Sequence, residues 1–379
     1  MAKIAKLTWL HNGNYGSVLQ AFALQKFLLL NGYDVIDLDY KADLKTKIIN
    51  FLSNRNSLEL FLGKYREAKG RRKYPHPELF NDRESKFNAF IKTNMIISQQ
   101  FHSPNEIKSI VNDYDIYLCG SDQIWSPYLL NPVFYFSFVP KEKQRISYAT
   151  SFGVTTTTLA KEKKIKSFLD NYQSISVREK QGRDFVKKLI GKDVPVCIDP
   201  TLLLKKSEWE QYVADQSFDR KYIFAFLLTP NSVYEQEVRS FAKNKKMEVI
   251  IVPTMQGPFN TGFEERVGTG PDEWLSYIKN AEYVFTDSFH AFIFSLIFEK
   301  EVFLFKRFND DQKRSQNSRI YTITDLLNLK YRVIDQDNLK QIYKSEKIEY
   351  NTVKRIINNE AAASADWLKK ALDKAIEQV

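Results

Sequence analysis

The chain has 379 residues, 43% hydrophobic and 27% charged, a balance that excludes a disordered polypeptide. Chains beyond about 250–300 residues split into separate cores, so two domains are the default expectation. The net charge is +10, and no apolar run approaches the roughly 18–20 residues of a spanning helix.

Lys3–Leu10 reads as a buried strand, followed by the loop His11-Asn12-Gly13-Asn14-Tyr15-Gly16. A helix over Ser17–Leu30 is predicted from its apolar spacing, with Ser17 as N-cap and Asn31-Gly32 as stop. Tyr33–Tyr40 is a second strand, which completes a β-α-β unit of parallel-sheet size. Residues 41–110 carry fourteen Lys or Arg against seven Asp or Glu, including Lys69, Arg71, Arg72 and Lys73. This stretch reads as a mostly helical or irregular insertion over the first domain. Such a segment suits an anionic membrane or ligand, and equally a solvated helix face. No nucleic-acid motif accompanies the charge, so nucleic acid is not an expected partner.

Strand patterns resume at Asp115–Cys119, Arg145–Thr150, Ser174–Val177 and Val194–Ile198, with helices at Lys161–Asn171 and Glu179–Ile190. A polar crossover near Lys205–Lys221 separates the halves. Strands are then expected at Tyr222–Leu228, Glu248–Pro253, Tyr283–Thr286, Val302–Phe305 and Tyr331–Ile334. Helices alternate with them at Val233–Asn244, Asp272–Asn280, Phe289–Phe298 and Ile320–Leu327. The expected division is 1–205, 206–346, and a helical tail 347–379 that crosses back to the first domain. Cys119 and Cys197 lie far apart in apolar runs, as buried thiols of a reducing compartment do. The N-terminus enters a strand without an apolar leader, so the expected location is the cytoplasm, at most peripheral to a membrane.

Ligands of open parallel sheets bind at the carboxyl ends of strands. Of the four histidines, His11 and His290 fall there. Asp287 or Ser288 can cap the helix that follows strand Tyr283–Thr286, which puts His290 in a first turn whose free N–H groups favour an anion. Gly120-Ser121-Asp122-Gln123-Ile124-Trp125 is a polar-then-aromatic loop of the kind that holds a sugar. Arg178 ends a buried strand and needs an answering charge, from Glu179 or from an anionic ligand. Lys306 and Arg307 end another strand in the same way, which puts cations on both sides of the expected cleft. Asp199-Pro200-Thr201 reads as a structural turn. Metal-ligand spacing, a phosphate-binding Walker loop and a G-x-S-x-G elbow are all missing from the sequence.

At these residues the chain resembles the polysaccharide pyruvyl transferase family. The matching stretches are LTWLHNGNYGSVLQAFALQKFL, YLCGSDQIW, ISYATSFG, SVRE, IDPTLLL, NAEYVFTDSFHAFIFSLIF, VFLFKRF and NSRI at Asn317–Ile320. The resemblance implies an α/β fold with two Rossmann-like domains facing a cleft, of the glycosyltransferase B kind. It implies transfer of the enolpyruvyl carbons of phosphoenolpyruvate onto a sugar, giving a cyclic pyruvate ketal. It also implies that the histidine of the D-S-F-H-G stretch is the key residue, here His290, with Ala291 adding a methyl group where the family has glycine. The site would then use His290 as acid/base group, with Arg178, Lys306 and Ser288 on the anionic groups. Asn12, Asn14, Asp122, Gln123 and Trp125 would face the acceptor. The donor is phosphoenolpyruvate, the acceptor a saccharide, lipid-linked in a polysaccharide precursor, and neither metal nor organic cofactor is needed. The competing expectations are a nucleotide-sugar glycosyltransferase of the same architecture and a non-catalytic polysaccharide-assembly protein.

Overall fold

The computed structural model describes residues 2–43, 45–46, 74–154, 156–254, 257, 261–310, 312 and 315–379. The basic cluster Lys69–Lys73 and its proposed membrane contact lie outside the described residues. The first half contributes β1 (Lys3–Leu7), β2 (Asp34–Tyr40), β3 (Ile97–Phe101), β4 (Ile116–Cys119), β5 (Gln144–Thr150) and β6 (Ser174–Val177). The second contributes β7 (Tyr222–Phe226), β8 (Glu248–Ile251), β9 (Glu264–Glu265), β10 (Tyr283–Thr286), β11 (Glu301–Phe305) and β12 (Val333–Ile334). They form two six-stranded sheets of order β3-β2-β1-β4-β5-β6 and β12-β11-β10-β7-β8-β9, with every pairing parallel. Parallel pairing needs crossovers, and helices of the expected length supply them.

The main helices are α1 (Tyr15–Leu30), α2 (Leu79–Asn94), α3 (Leu159–Leu169), α4 (Lys180–Ile190), α5 (Ser232–Lys245), α6 (Pro271–Asn280), α7 (Phe289–Ile297), α8 (Asn317–Leu326) and α9 (Tyr350–Ile376). α1 starts two residues before the predicted position, and Asn14 rather than Ser17 is its N-cap. The Asn14 side chain accepts from the N–H groups of Gly16 (2.9 Å) and Ser17 (3.4 Å). The Asn14 Oδ1 is therefore committed to the helix end. In the region read as a helical insertion, β3 adds an edge strand beside β2. Its sequence ISQQF is mostly solvent-facing, so it lacks the apolar alternation that marks a half-buried strand. Val194–Ile198 forms only an isolated bridge, Val196 beside Val177.

The two halves share one apolar core. α1 and α7 are buried on nearly every side, because each lies between the sheets. Tyr15 of α1 stacks on Trp274 of α6 (centroids 5.1 Å apart, 6° between planes) and donates its hydroxyl to Thr269 O at 2.8 Å. Trp209, in the crossover, packs against Phe22 of α1 and Phe294 of α7. Such aromatic pairs are worth about 0.5–1.5 kcal/mol each beyond the area they bury. Arg83 of α2 is buried and donates to Val267 O and Pro253 O, both at 2.7 Å, which fastens the first half to the second. α9 begins on the second half, near Lys300, and ends on the first: Ile198 N–H donates to Ser364 Oγ, and Tyr33 donates to Asp373. No described helix is long and apolar enough to cross a membrane.

Both cysteines are free and buried. Burial pushes the Cys119 thiol up to about 12 and the Cys197 thiol up to about 11, so neither forms thiolate near neutral pH. The native protein should therefore leave a disulfide-exchange reagent unreacted at pH 8. It should titrate two thiols once unfolded without reductant. Rapid reaction of the folded protein, or fewer than two thiols after unfolding, would contradict the burial described here.

Candidate active site

The site is built where the carboxyl ends of the two sheets meet. On the second sheet, Thr286 closes β10 by donating to Phe226 O (2.6 Å) and accepting from Ser288 N–H (3.0 Å). Asp287 does not cap α7. Its carboxylate accepts instead from the Leu228 (2.5 Å) and Thr229 (3.2 Å) N–H groups, and burial lifts its pKa to about 6. The cap is Ser288, which accepts from Ala291 N–H at 3.4 Å. His290 thereby sits in the first turn of α7. Its Nε2 is buried 3.3 Å from Asp199 Oδ2, yet it makes no aligned hydrogen bond. Ala291 has no exposed surface and packs in the apolar core, so its methyl group narrows neither of the cavities described below.

On the first sheet, the loop after β1 brings Gly16 against the imidazole. A Cβ there would lie 2.0 Å from His290 Nδ1, so glycine is required for the close approach. The loop after β4 holds Asp122 at φ 73°, ψ −178°, a region that side chains other than glycine's avoid at a cost of about 1–3 kcal/mol. It is held there because Ser151 N–H donates to Asp122 O (2.9 Å), while Ser121 bonds Ala149 O (2.7 Å) and accepts from Thr8 (3.0 Å). The strained turn aims the Asp122 carboxylate inward, at Ser17 Oγ (2.6 Å) and Arg178 (3.4 Å).

Arg178 follows β6. Its ion-pair partners are Asp199 (2.7 Å) and Asp122 (3.4 Å), and the expected Glu179 supports its charge from beyond ion-pair distance. Glu179 accepts instead from Ser151 Oγ (2.9 Å) and Phe152 N–H (3.2 Å), and burial raises its pKa. Asp199, read from sequence as a turn residue, does cap that turn at Thr201. It also pairs with Arg178 and His290. Burial alone would raise its pKa, but His290 and Arg178 outweigh burial and hold it well below the usual carboxylate range. Burial likewise opposes the Asp122 charge, and Arg178 and His290 again prevail.

A second arginine completes the cluster. Arg319, near the start of α8, faces the Phe289 ring at 5.7 Å, and Arg178 faces the same ring at 4.8 Å. Arg319 bonds Gln316 Oε1 (3.0 Å), which also accepts from Gln123 (3.0 Å) across the seam. Among the described residues no carboxylate lies within ion-pair distance of Arg319, and its buried Nε has no partner. Burial, then the neighbouring Arg178, pulls its pKa down to about 10. A cavity of about 260 Å³ opens onto Arg178, Asp199, Phe289 and Arg319. Among the described residues no group of three His, Cys, Asp or Glu is arranged to hold a metal ion.

The structure thus gathers His290, Ser288, Arg178 and Asp122 of the residues singled out in the sequence, and sets others apart. Trp125 has no exposed surface, stacks on Tyr135 (5.4 Å) and donates to Phe134 O (3.2 Å). It is a core residue and cannot face a sugar. Lys306 stands aside from the cluster, paired with Asp310 at 2.7 Å, and that hydrogen bond raises its pKa. Asn12 is exposed and donates to Ser17 Oγ at 2.9 Å. Sequence gives Asp199 only a turn role and Arg319 none, although both lie in stretches that carry the family resemblance, IDPTLLL and NSRI.

Two parallel-sheet domains that meet at their carboxyl ends around a buried polar cluster define a glycosyltransferase B-like fold. The chain belongs to the polysaccharide pyruvyl transferase family, a transferase family whose profile matches residues 14–307. Solved structures of the same fold include a UDP-N-acetylglucosamine 2-epimerase from Rickettsia bellii, with TM-score 0.57 and 8% identity over 100% of this chain and 97% of that one. A putative UDP-N-acetylglucosamine 2-epimerase from Listeria monocytogenes gives TM-score 0.54 and 10% identity over 100% and 97%. UGT89C1 from Arabidopsis thaliana, solved with quercetin, gives TM-score 0.50 and 11% identity over 100% and 99%. At these identities the likeness is one of fold. No curated protein matches the sequence.

The depressed Asp199 pKa fixes a sign. An unfolded aspartate titrates near about 3.9. The Asp199 contribution to stability is therefore fully present above that value and is lost as pH falls below it. Asp199→Asn removes one partner of a buried ion pair and should cost about 3–5 kcal/mol at pH 7. In denaturant titrations the gap between wild type and variant should shrink as pH falls from 5 to 3. A gap independent of pH would show that Asp199 is not held ionised.

Proposed function

We propose that this protein transfers the enolpyruvyl carbons of phosphoenolpyruvate to a saccharide and closes a pyruvate ketal across two of its hydroxyls. The observation that carries this reading is Arg319, a buried guanidinium lacking a carboxylate among the described residues, beside Arg178 on one cavity. A buried cation is costly until an anion answers it. Guanidinium groups pair two-pronged with carboxylate and phosphate, and phosphoenolpyruvate carries both. Family membership supports the reaction class, and the fold alone would not.

In this reading the donor's anionic end sits against Arg319 and the cluster's edge. His290 delivers a proton to the methylene carbon, which becomes a methyl group, and the second carbon turns electrophilic. A sugar hydroxyl adds there and gives up its proton. The carbon–oxygen bond to phosphate breaks, and phosphate leaves with the electron pair. A second hydroxyl closes the ring and releases the last proton. Asp199 orients the imidazole and supplies the counter-charge when the ring carries a proton. No metal or organic cofactor is needed by these steps. We assign the reaction to the cytoplasm and the acceptor to a lipid-linked polysaccharide precursor.

The test is incubation with phosphoenolpyruvate and a panel of saccharide acceptors, read by phosphate release and product mass. His290→Ala should lower kcat by roughly 10²–10⁴-fold, the usual contribution of a positioned proton donor, with a small change in the KM for phosphoenolpyruvate. His290→Gln should match it in rate. Arg319→Ala should weaken phosphoenolpyruvate binding more than it slows turnover. Near-normal kcat in either His290 variant would remove the acid role. Consumption of a sugar nucleotide with no response to phosphoenolpyruvate would replace the reading with glycosyl transfer. Full cellular function in His290→Ala would point to a non-catalytic assembly role.

A further inference from the structure

A second cavity, of about 220 Å³, lies at the carboxyl ends of β1 and β2, separate from the arginine cluster. His11, Asn12, Lys41, Glu84, Asn88 and Phe87 line it. His11 follows β1 and Lys41 follows β2, so both stand where open parallel sheets place ligands. His11 Nε2 lies 2.5 Å from Asp39 Oδ1, and Gln100 Nε2 reaches the two oxygens of the same carboxylate at 3.3 and 3.1 Å. With Nε2 committed to Asp39, the ring is fixed, and no described residue bonds its other nitrogen. Arg83 closes one wall, but its Nε and Nη2 already serve Val267 O and Pro253 O. Lys41 and Glu84 line the same cavity, so its wall carries charges of both signs rather than cations alone. It presents single donors and acceptors of both signs over an apolar floor, the pattern that fits a polyhydroxylated ring. It is smaller than the about 300–1,000 Å³ of sites for drug-sized ligands, so it fits one ring.

The segment His11–Ser17 joins this cavity to the cluster. Asn12 donates to Ser17 Oγ (2.9 Å), and Ser17 donates to Asp122 (2.6 Å) beside Arg178. Gly16, in the first turn of α1 within this segment, touches His290. The segment is short: the five steps from His11 to Gly16 span at most about 18 Å, so one short stretch of chain touches both the cavity and His290. Trp125 and Asp122, expected to hold the sugar, are instead buried. We infer that the His11 cavity is a saccharide subsite, in which the Asp39-oriented imidazole and Asn88 hold one ring of the acceptor. The naming of the occupant as acceptor rests on the transferase reading above, whereas the saccharide chemistry does not.

The test is saturation-transfer NMR on the full chain without phosphoenolpyruvate, using methyl glycosides of galactose, glucose, N-acetylglucosamine and N-acetylmannosamine as probes. At least one should bind. Asn88→Trp, which fills the cavity from an exposed helix position, should weaken that binding at least tenfold. So should His11→Leu, while Lys41→Ala gives a milder loss. Phosphoenolpyruvate and inorganic phosphate should not displace the probe, and Arg319→Ala should leave it in place. Binding by none of the four glycosides overturns the inference. So does wild-type binding in folded Asn88→Trp, or displacement by phosphate. If glycoside binding behaves as stated but no acceptor is pyruvylated, the donor reading fails and the saccharide subsite stands.

Discussion

The arrangement of this protein depends on one buried cation. Arg178 leaves the end of β6 with almost no exposed surface and binds two carboxylates, Asp199 and Asp122, that come from different loops. Stripping a guanidinium of water is repaid only by close, well-placed partners. The loops after β4 and β6 and the turn at Asp199 must therefore meet within ion-pair distance, and the strained backbone of Asp122 is part of what that meeting costs. The result is a fixed row of polar contacts at the domain seam, from His290 through Asp199, Arg178, Asp122 and Ser17 to Asn12.

The apolar side of the seam makes that row durable. Domains that touch through small polar interfaces move by default, but here α1, α6, α7 and Trp209 form one dry core between the sheets. His290 comes from the second domain and its ion-pair partner from the first. A rigid seam is what holds two such groups at 3.3 Å. The cavity beside Arg319 opens onto Arg178 and Asp199 of that row.

Most of the fold was legible in the sequence, because the central strands are buried on both faces and read as apolar runs between caps and glycines. The misses have physical causes. β3 is a solvent-facing edge strand rich in glutamine, and Val194–Ile198 is apolar for packing rather than for pairing. The site was half legible. His290 and Arg178 announce themselves by position at strand ends. Trp125 and Asp122 share a hexapeptide, but only the structure tells the core aromatic from the inward carboxylate. Asp199 carries a turn signature that conceals its pairing across the chain. Arg319 sits inside a helix, where sequence offers no reason to expect a buried charge.

The two glycines of the loop after β1 show how one segment serves both cavities. Gly13 takes φ 63°, and a side chain there would meet open space, so it is required for the turn alone. Gly16 lies in the first turn of a helix, where glycine is a poor choice by about 1 kcal/mol relative to alanine. That cost is offset by contact: His290 occupies the volume a Cβ would need. The imidazole is confined by the backbone of the first domain on one side and by Asp199 on another. Its orientation is thereby set by packing and by the nearby Asp199 carboxylate. A side chain held in this way has little freedom to reorient, which is the kind of preorganisation that a positioned acid or base requires.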